Sequence, residues 1–136
     1  MRRTFFALAI LIGLPLSTSL AAAPAMAQVT PSVEVSSATL VAKGAAADFH
    51  LVVSCVVGSV PFINLSVLQK AGNKVTQAFG SASFTCEAET QSLTVTATVQ
   101  AGLPAFKPAE ALVQGGMQIP GFPSASIKET LKLAKK

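Results

Sequence analysis

The segment 47–57, ADFHLVVSCVV, decides the fold class of this chain. Its odd positions, Ala47, Phe49, Leu51, Val53, Cys55 and Val57, are all apolar, and its even positions begin with Asp48 and His50. An apolar residue at every second place marks a strand with one dry and one wet face. The pattern returns in 81–89, where Ala82, Phe84, Cys86 and Ala88 alternate with polar residues. It returns again in 92–100 through Leu93, Val95, Ala97 and Val99. Such strands belong to antiparallel sheets that pack on one side only.

Weaker strands extend the pattern in both directions. Segment 33–42 opens the domain, and a change of phase at Ser36-Ser37 predicts a bulge or a switch between sheets. Segment 60–69 points Ile63, Leu65 and Val67 one way; 74–79 follows it across Ala71-Gly72-Asn73, a hairpin turn. Segment 109–119 closes the domain, and Gly115-Gly116 within it marks a bulge or a close backbone approach. Seven short strands at spacings of about 8–14 residues predict an all-β, antiparallel, immunoglobulin-like sandwich. Beyond Pro120-Gly121-Phe122-Pro123 the pattern changes. Ser126-Ile127-Lys128-Glu129 fits a capping box, which predicts a short C-terminal helix with Ile127, Leu131 and Ala134 on one face. The expected organisation is a leader in 1–27, a sandwich domain in 28–119 and a basic tail in 120–136.

The leader is read from three features in order. Arg2-Arg3 gives a charged start, 5–16 (FFALAILIGLPL) is an apolar run, and Ala25-Met26-Ala27 supplies small residues for cleavage. That order is a secretory signal peptide. Twelve residues broken by Gly13 and Pro15 are too few to span a bilayer, which needs roughly 20. Cleavage after Ala25 or Ala27 releases a secreted protein with no stable membrane insertion, outside the cytoplasm of a bacterium.

Removing 1–27 takes away both arginines and leaves eight lysines against six acids. Lys128, Lys132, Lys135 and Lys136 stand against Glu129 in the last nine residues, so most of the positive charge falls in the tail. The body, 28–127, is then slightly acidic, which argues against a basic patch for nucleic acid. After cleavage the chain has no Arg, Trp or Tyr, the residues that read phosphates and stack on bases. Protein-interface hot spots favour the same three residues, so backbone pairing is the mode of association left open. Cys55 and Cys86 are the only cysteines, both on dry strand faces, and an even count in an exported domain predicts one disulfide.

From Gly44 to Met117 a series of short marks follows in order. A strand ends in Cys55, a Ser-x-x-Gln segment occupies 66–69, and Gly72 follows. Phe79-Gly80 leads to Cys86, and Phe106-Lys107-Pro108-Ala109-Glu110-Ala111 precedes the last strand. This order resembles an actinobacterial secreted family with an immunoglobulin-like sandwich and no assigned function. The resemblance implies the fold and carries over no functional residue.

Candidate chemistry is thin. Asp48, His50 and Ser54 share one wet face, but His50 and Ser54 are roughly 13 Å apart along an extended strand, too far for a triad. His50 is the only histidine, and a zinc site would need Glu34, Glu87 or Glu89 to converge on it. Glu87 and Glu89 read as solvated surface rather than as a glycosidase pair. Asn64-Leu65-Ser66 matches a glycosylation acceptor with Asn64 facing outward. No catalytic, cofactor-binding or metal residue is therefore expected. The candidate binding element is the loop 101–108 (AGLPAFKP), with Pro104, Phe106 and Lys107; its competing role is an inter-strand crossing whose Phe106 plugs the core.

The expected function is a secreted, non-enzymatic interaction or envelope-surface module. Its tail would attract anionic envelope polymers or lipid head groups weakly. The alternative is a carrier of an apolar small molecule, held where Ala111, Gly115 and Gly116 leave space between the sheets.

Overall fold

The computed structural model describes residues 28–136; the leader read in 1–27 lies outside them. Seven strands form: β1 (Ser32–Val41), β2 (Ala46–Ser54), β3 (Phe62–Ala71), β4 (Lys74–Ser83), β5 (Thr90–Val99), β6 (Glu110–Gln118) and β7 (Ala125–Lys132). They make one sheet in the order β1-β2-β5-β4-β3-β6-β7, and every neighbouring pair is antiparallel. The sheet nearly closes into a barrel. Its two edges meet where the Leu40 N–H donates to the Ala134 carbonyl (2.8 Å) and the Ala134 N–H donates to the Ala38 carbonyl (2.9 Å). These contacts cover only part of the two edges, at the bridge of Thr39 with Ala134, and the rest of the seam stays open.

The alternating residues of the sequence fill the interior. Phe49, Leu51 and Val53 of β2 are fully buried, as are Ile63 and Val67 of β3, and Val95 and Ala97 of β5 are nearly or fully so. Each large apolar side chain buried this way contributes roughly 1.5–3 kcal/mol. The phase change in β1 is a real register shift between Val35 and Ser37. The hairpin forms as expected, with Ala71 paired to Lys74 across Gly72-Asn73. At Gly115 and Gly116 the ladder runs without a shift, and the reason for glycine is space. A Cβ at Gly115 would strike the Asn64 carbonyl, and one at Gly116 the Ala125 carbonyl.

The strand count agrees with expectation, but the strands are not the expected seven. The segment predicted as a C-terminal helix is β7, paired with β6 from Glu110↔Lys132 to Met117↔Ala125. The sheet therefore runs through 120–136 instead of ending at 119, and Leu133 is fully buried. An isolated helix of nine or ten residues is marginal in water, whereas the same residues satisfy their backbone groups against an open strand edge. Segments 74–79 and 81–89, read as two strands, are one strand and a connection. β4 runs continuously to Ser83, and 84–89 crosses irregularly to β5.

Cys55 and Cys86 form the expected disulfide, with a Cα–Cα distance of 6.1 Å. Neither cysteine lies within a strand: Cys55 follows β2 and Cys86 sits in the β4–β5 connection, both buried. β4 and β5 pair only at Ala78↔Val99 and Phe79↔Thr98, at the far end of β5 from the disulfide, which ties the end of β2 to the β4–β5 connection. A persistent disulfide fits an oxidising compartment. No helix among the described residues is long and apolar enough to cross a membrane.

Candidate functional site

The wet face of β2 does not assemble a catalytic set. Register places Asp48, His50 and Ser54 opposite Thr96, Thr94 and Thr90 of β5, and each bonds to its own partner. The Thr96 hydroxyl donates to Asp48 Oδ1 (2.6 Å), His50 Nδ1 lies 3.0 Å from Thr94 Oγ1, and Ser54 Oγ lies 3.5 Å from Thr90 Oγ1. These are cross-strand pairs of the kind that stabilise a sheet. Glu87 and Glu89 are exposed in the β4–β5 connection, and among the described residues no group of three or more His, Cys, Asp or Glu could hold a metal ion. Asn64 is exposed, and its Oδ1 accepts a hydrogen bond from the Gly116 N–H at 3.1 Å.

The loop between β5 and β6 is tightly held. Phe106 is buried in the core, where it plugs the end of the sheet. Pro104 accepts a hydrogen bond at its carbonyl from the buried Thr76 hydroxyl (2.8 Å). Lys107 leaves its side chain exposed, while both of its backbone polar groups bond to Gln69. Gln69 Nε2 donates to the Lys107 carbonyl (2.9 Å) and to the Ala109 carbonyl (3.3 Å), and Gln69 Oε1 accepts from the Lys107 N–H (2.8 Å). The Ser-x-x-Gln and Phe-Lys-Pro-Ala-Glu-Ala motifs are thus two halves of one latch.

Gln69 carried a signal in the sequence. It occupies the inward slot after Ile63, Leu65 and Val67, where a polar side chain needs buried partners. Replacing it with leucine keeps the volume and strands those backbone groups, so Gln69→Leu is expected to lower stability by about 2–3 kcal/mol. Denaturant unfolding checks the size, and faster amide exchange at Lys107 would place the loss at the latch.

The same end of the sheet gathers charge from distant parts of the chain. Lys70 and Lys74 flank the β3–β4 hairpin, Lys107 lies in the β5–β6 loop, and Lys43 sits in the turn between β1 and β2. Lys132 ends β7 and Lys135 and Lys136 follow it, so seven of the eight lysines in 28–136 share this end. Only Asp48 and Glu110 accompany them, which leaves a net side-chain charge of +5. At the opposite end Glu34, Glu87 and Glu89 have no lysine beside them, and Lys128 and Glu129 lie between. The body, 28–127, is slightly acidic as counted, and the basic end arises where its lysines meet those of the tail. Strand direction, which a count along the chain ignores, brings the lysines together.

A groove of about 530 Å³ opens at this basic end. Leu40, Val41, Phe106 and Pro108 contribute to its lining, and the ionisable side chains along it are Lys43, Lys135 and Lys136. Lys43 is held there by unusual backbone. Ala42 (φ 49°), Lys43 (φ 57°) and Gly44 (φ 87°) form a left-handed turn, which costs roughly 1–2 kcal/mol for each residue with a Cβ. The Phe106 N–H donates to the Gly44 carbonyl at 2.8 Å, and the space a Gly44 Cβ would need is taken by the Phe106 carbonyl. Strain of this kind persists only where neighbours enforce it, often at functional sites. Leu103 and Val75, both partly exposed, add apolar surface among the lysines. Ala111 is buried, and a Cβ added at Gly115 or Gly116 would meet the backbone of β3 or β7.

The chain matches no protein-family model and no curated protein.

Proposed function

We propose that this chain is an exported, non-enzymatic module that works at a bacterial envelope surface through charge. The observation that carries the reading is the segregation of charge along the sheet, with +5 at one end and no lysine at the other. Such an arrangement orients a protein in the field of an anionic surface and speeds its encounter. Lysines without arginine or stacking aromatics suit contacts that follow charge density and ignore sequence. The disulfide supports export, since it belongs to oxidising compartments. The separate pairing of Asp48, His50 and Ser54 supports the non-enzymatic part.

The strand order supports an immunoglobulin-like ancestry for the fold. In that architecture the first, second, fifth and fourth strands form one sheet, and the third, sixth and seventh form the other. The order β1-β2-β5-β4-β3-β6-β7 keeps all of those neighbours and adds the β3–β4 hairpin between the halves.

Retention on washed bacterial envelope fragments tests the reading. The mature protein is expected to sediment with fragments at low ionic strength and to be released at about 0.5 M salt, where the Debye length falls to a few ångströms. Absence from the pellet at low salt would overturn the reading.

A further inference from the structure

We propose that the basic end docks on an anionic phospholipid bilayer. Lys43, Lys135 and Lys136 would hold lipid phosphates at the mouth of the groove while Leu103 and Val75 enter the headgroup layer. The inference rests on the envelope-surface reading and adds the partner's chemistry and the orientation of docking.

Charge alone would fit any polyanion, and the apolar residues decide between them. Leu103 is 36% exposed at the tip of the β5–β6 loop, and Val75 is 55% exposed at the start of β4. The hydrogen bond from Thr76 to the Pro104 carbonyl brings the loop tip beside the start of β4. Around them stand Lys70, Lys74 and Lys107. A soluble phosphate polymer gains nothing from bare leucine and valine, whereas a bilayer interface accepts them as its headgroups meet the lysines. The loop is also prepared for insertion. Gln69, Thr76 and Gly44 hold its backbone from inside, so little ordering entropy remains to be lost on docking.

The groove supplies the specific contact. Lys43 comes from the left-handed turn and Lys135 and Lys136 from the residues after β7, and no acidic side chain lines the space between them. The parallel pairing of Ala134 with β1 fixes where those last two residues emerge. With the basic end against the membrane, the opposite end, bearing Glu34, Glu87 and Glu89, faces away, as repulsion from an anionic surface requires.

The experiment is cosedimentation of the mature protein, recovered from a secreting host, with vesicles of phosphatidylcholine containing 30% phosphatidylglycerol. Pure phosphatidylcholine vesicles and soluble polyphosphate serve as the other arms. Binding to the anionic vesicles alone is expected. The triple variant Lys43→Gln, Lys135→Gln, Lys136→Gln should lower partitioning roughly a hundredfold, and Leu103→Ser should lower it about tenfold. All four positions are exposed or partly so, and thermal unfolding confirms that each variant stays folded. Envelope fragments that retain the protein while anionic vesicles do not would overturn the bilayer inference and leave the envelope reading standing. Equal affinity for polyphosphate with no effect of Leu103→Ser would overturn it in favour of a phosphate polymer. Failure on fragments and vesicles alike would sink both.

Discussion

A chain ending at Pro123 is expected to lose its cooperative fold. Such a chain keeps everything that the sequence presents as the sandwich domain and lacks only β7 and the residues after it. The structure makes β7 a wall of the barrel. It pairs with β6 at eight positions, Ile127 and Leu133 are buried, and Ala134 provides the contact that closes the sheet onto β1. Its removal would expose Ala111, Val113 and Met117 on β6 and open the edge of β1 to water. Loss of two large buried side chains alone removes roughly 3–6 kcal/mol, comparable to the whole net stability of many domains, about 5–15 kcal/mol. Thermal circular dichroism and amide proton dispersion check it: a sloping melt and collapsed dispersion are expected. A sharp transition with native dispersion would show that β7 is dispensable. A chain ending at Ala134 is the control. It loses only the exposed Lys135 and Lys136, so it should melt like the parent while losing vesicle affinity.

The difference between helix and strand at this segment shows where the sequence was legible and where it was not. Positions 125, 127, 131 and 133 alternate apolar residues at strand spacing, but Glu129 falls in the same inward series. A carboxylate there breaks the strand pattern and completes a capping box instead. Its actual place is the open seam, where Glu129 Oε1 accepts a hydrogen bond from the Val35 N–H of β1 at 3.2 Å. A residue that satisfies another strand's edge cannot be read from its own neighbours. The end of the expected strand 74–79 is a similar case. β4 runs on through Gly80 to Ser83, and the bare Cα of Gly80 admits the Thr96 carbonyl of β5, a contact with a distant segment. The strands β2 and β5, the β1 bulge, the hairpin and the disulfide were legible because each depends on local period, a turn or a cysteine count. The candidate site was legible only at Lys107 and in the terminal lysines. Its other cations come from segments separated in sequence and united by strand direction.

The double variant Cys55→Ala, Cys86→Ala is expected to lose about 3–4 kcal/mol, the chain-entropy cost of opening a loop of this size. The separation is 31 residues. For a domain of about 110 residues this corresponds to a fall in Tm of roughly 15–25 °C. Alanine at both positions avoids a stranded thiol or hydroxyl in a site that is now buried. The native backbone around the bond holds itself together in part. The Gly58 N–H donates to the Cys86 carbonyl (2.8 Å), the Cys86 N–H to the Ser59 carbonyl (2.9 Å), and the Cys55 N–H to the Glu89 carbonyl (3.0 Å). Those bonds exist only in the folded protein, so they cannot replace a crosslink that restricts the unfolded chain. The two contributions separate in urea. If the disulfide acts on the unfolded state, the variant's midpoint falls and its m-value rises, because the freed chain exposes more surface. A midpoint that falls with m unchanged would assign the loss to native packing around the bond. A loss below about 1 kcal/mol would mean that the backbone bonds between the two connections hold them together without the crosslink, contrary to the expected loss.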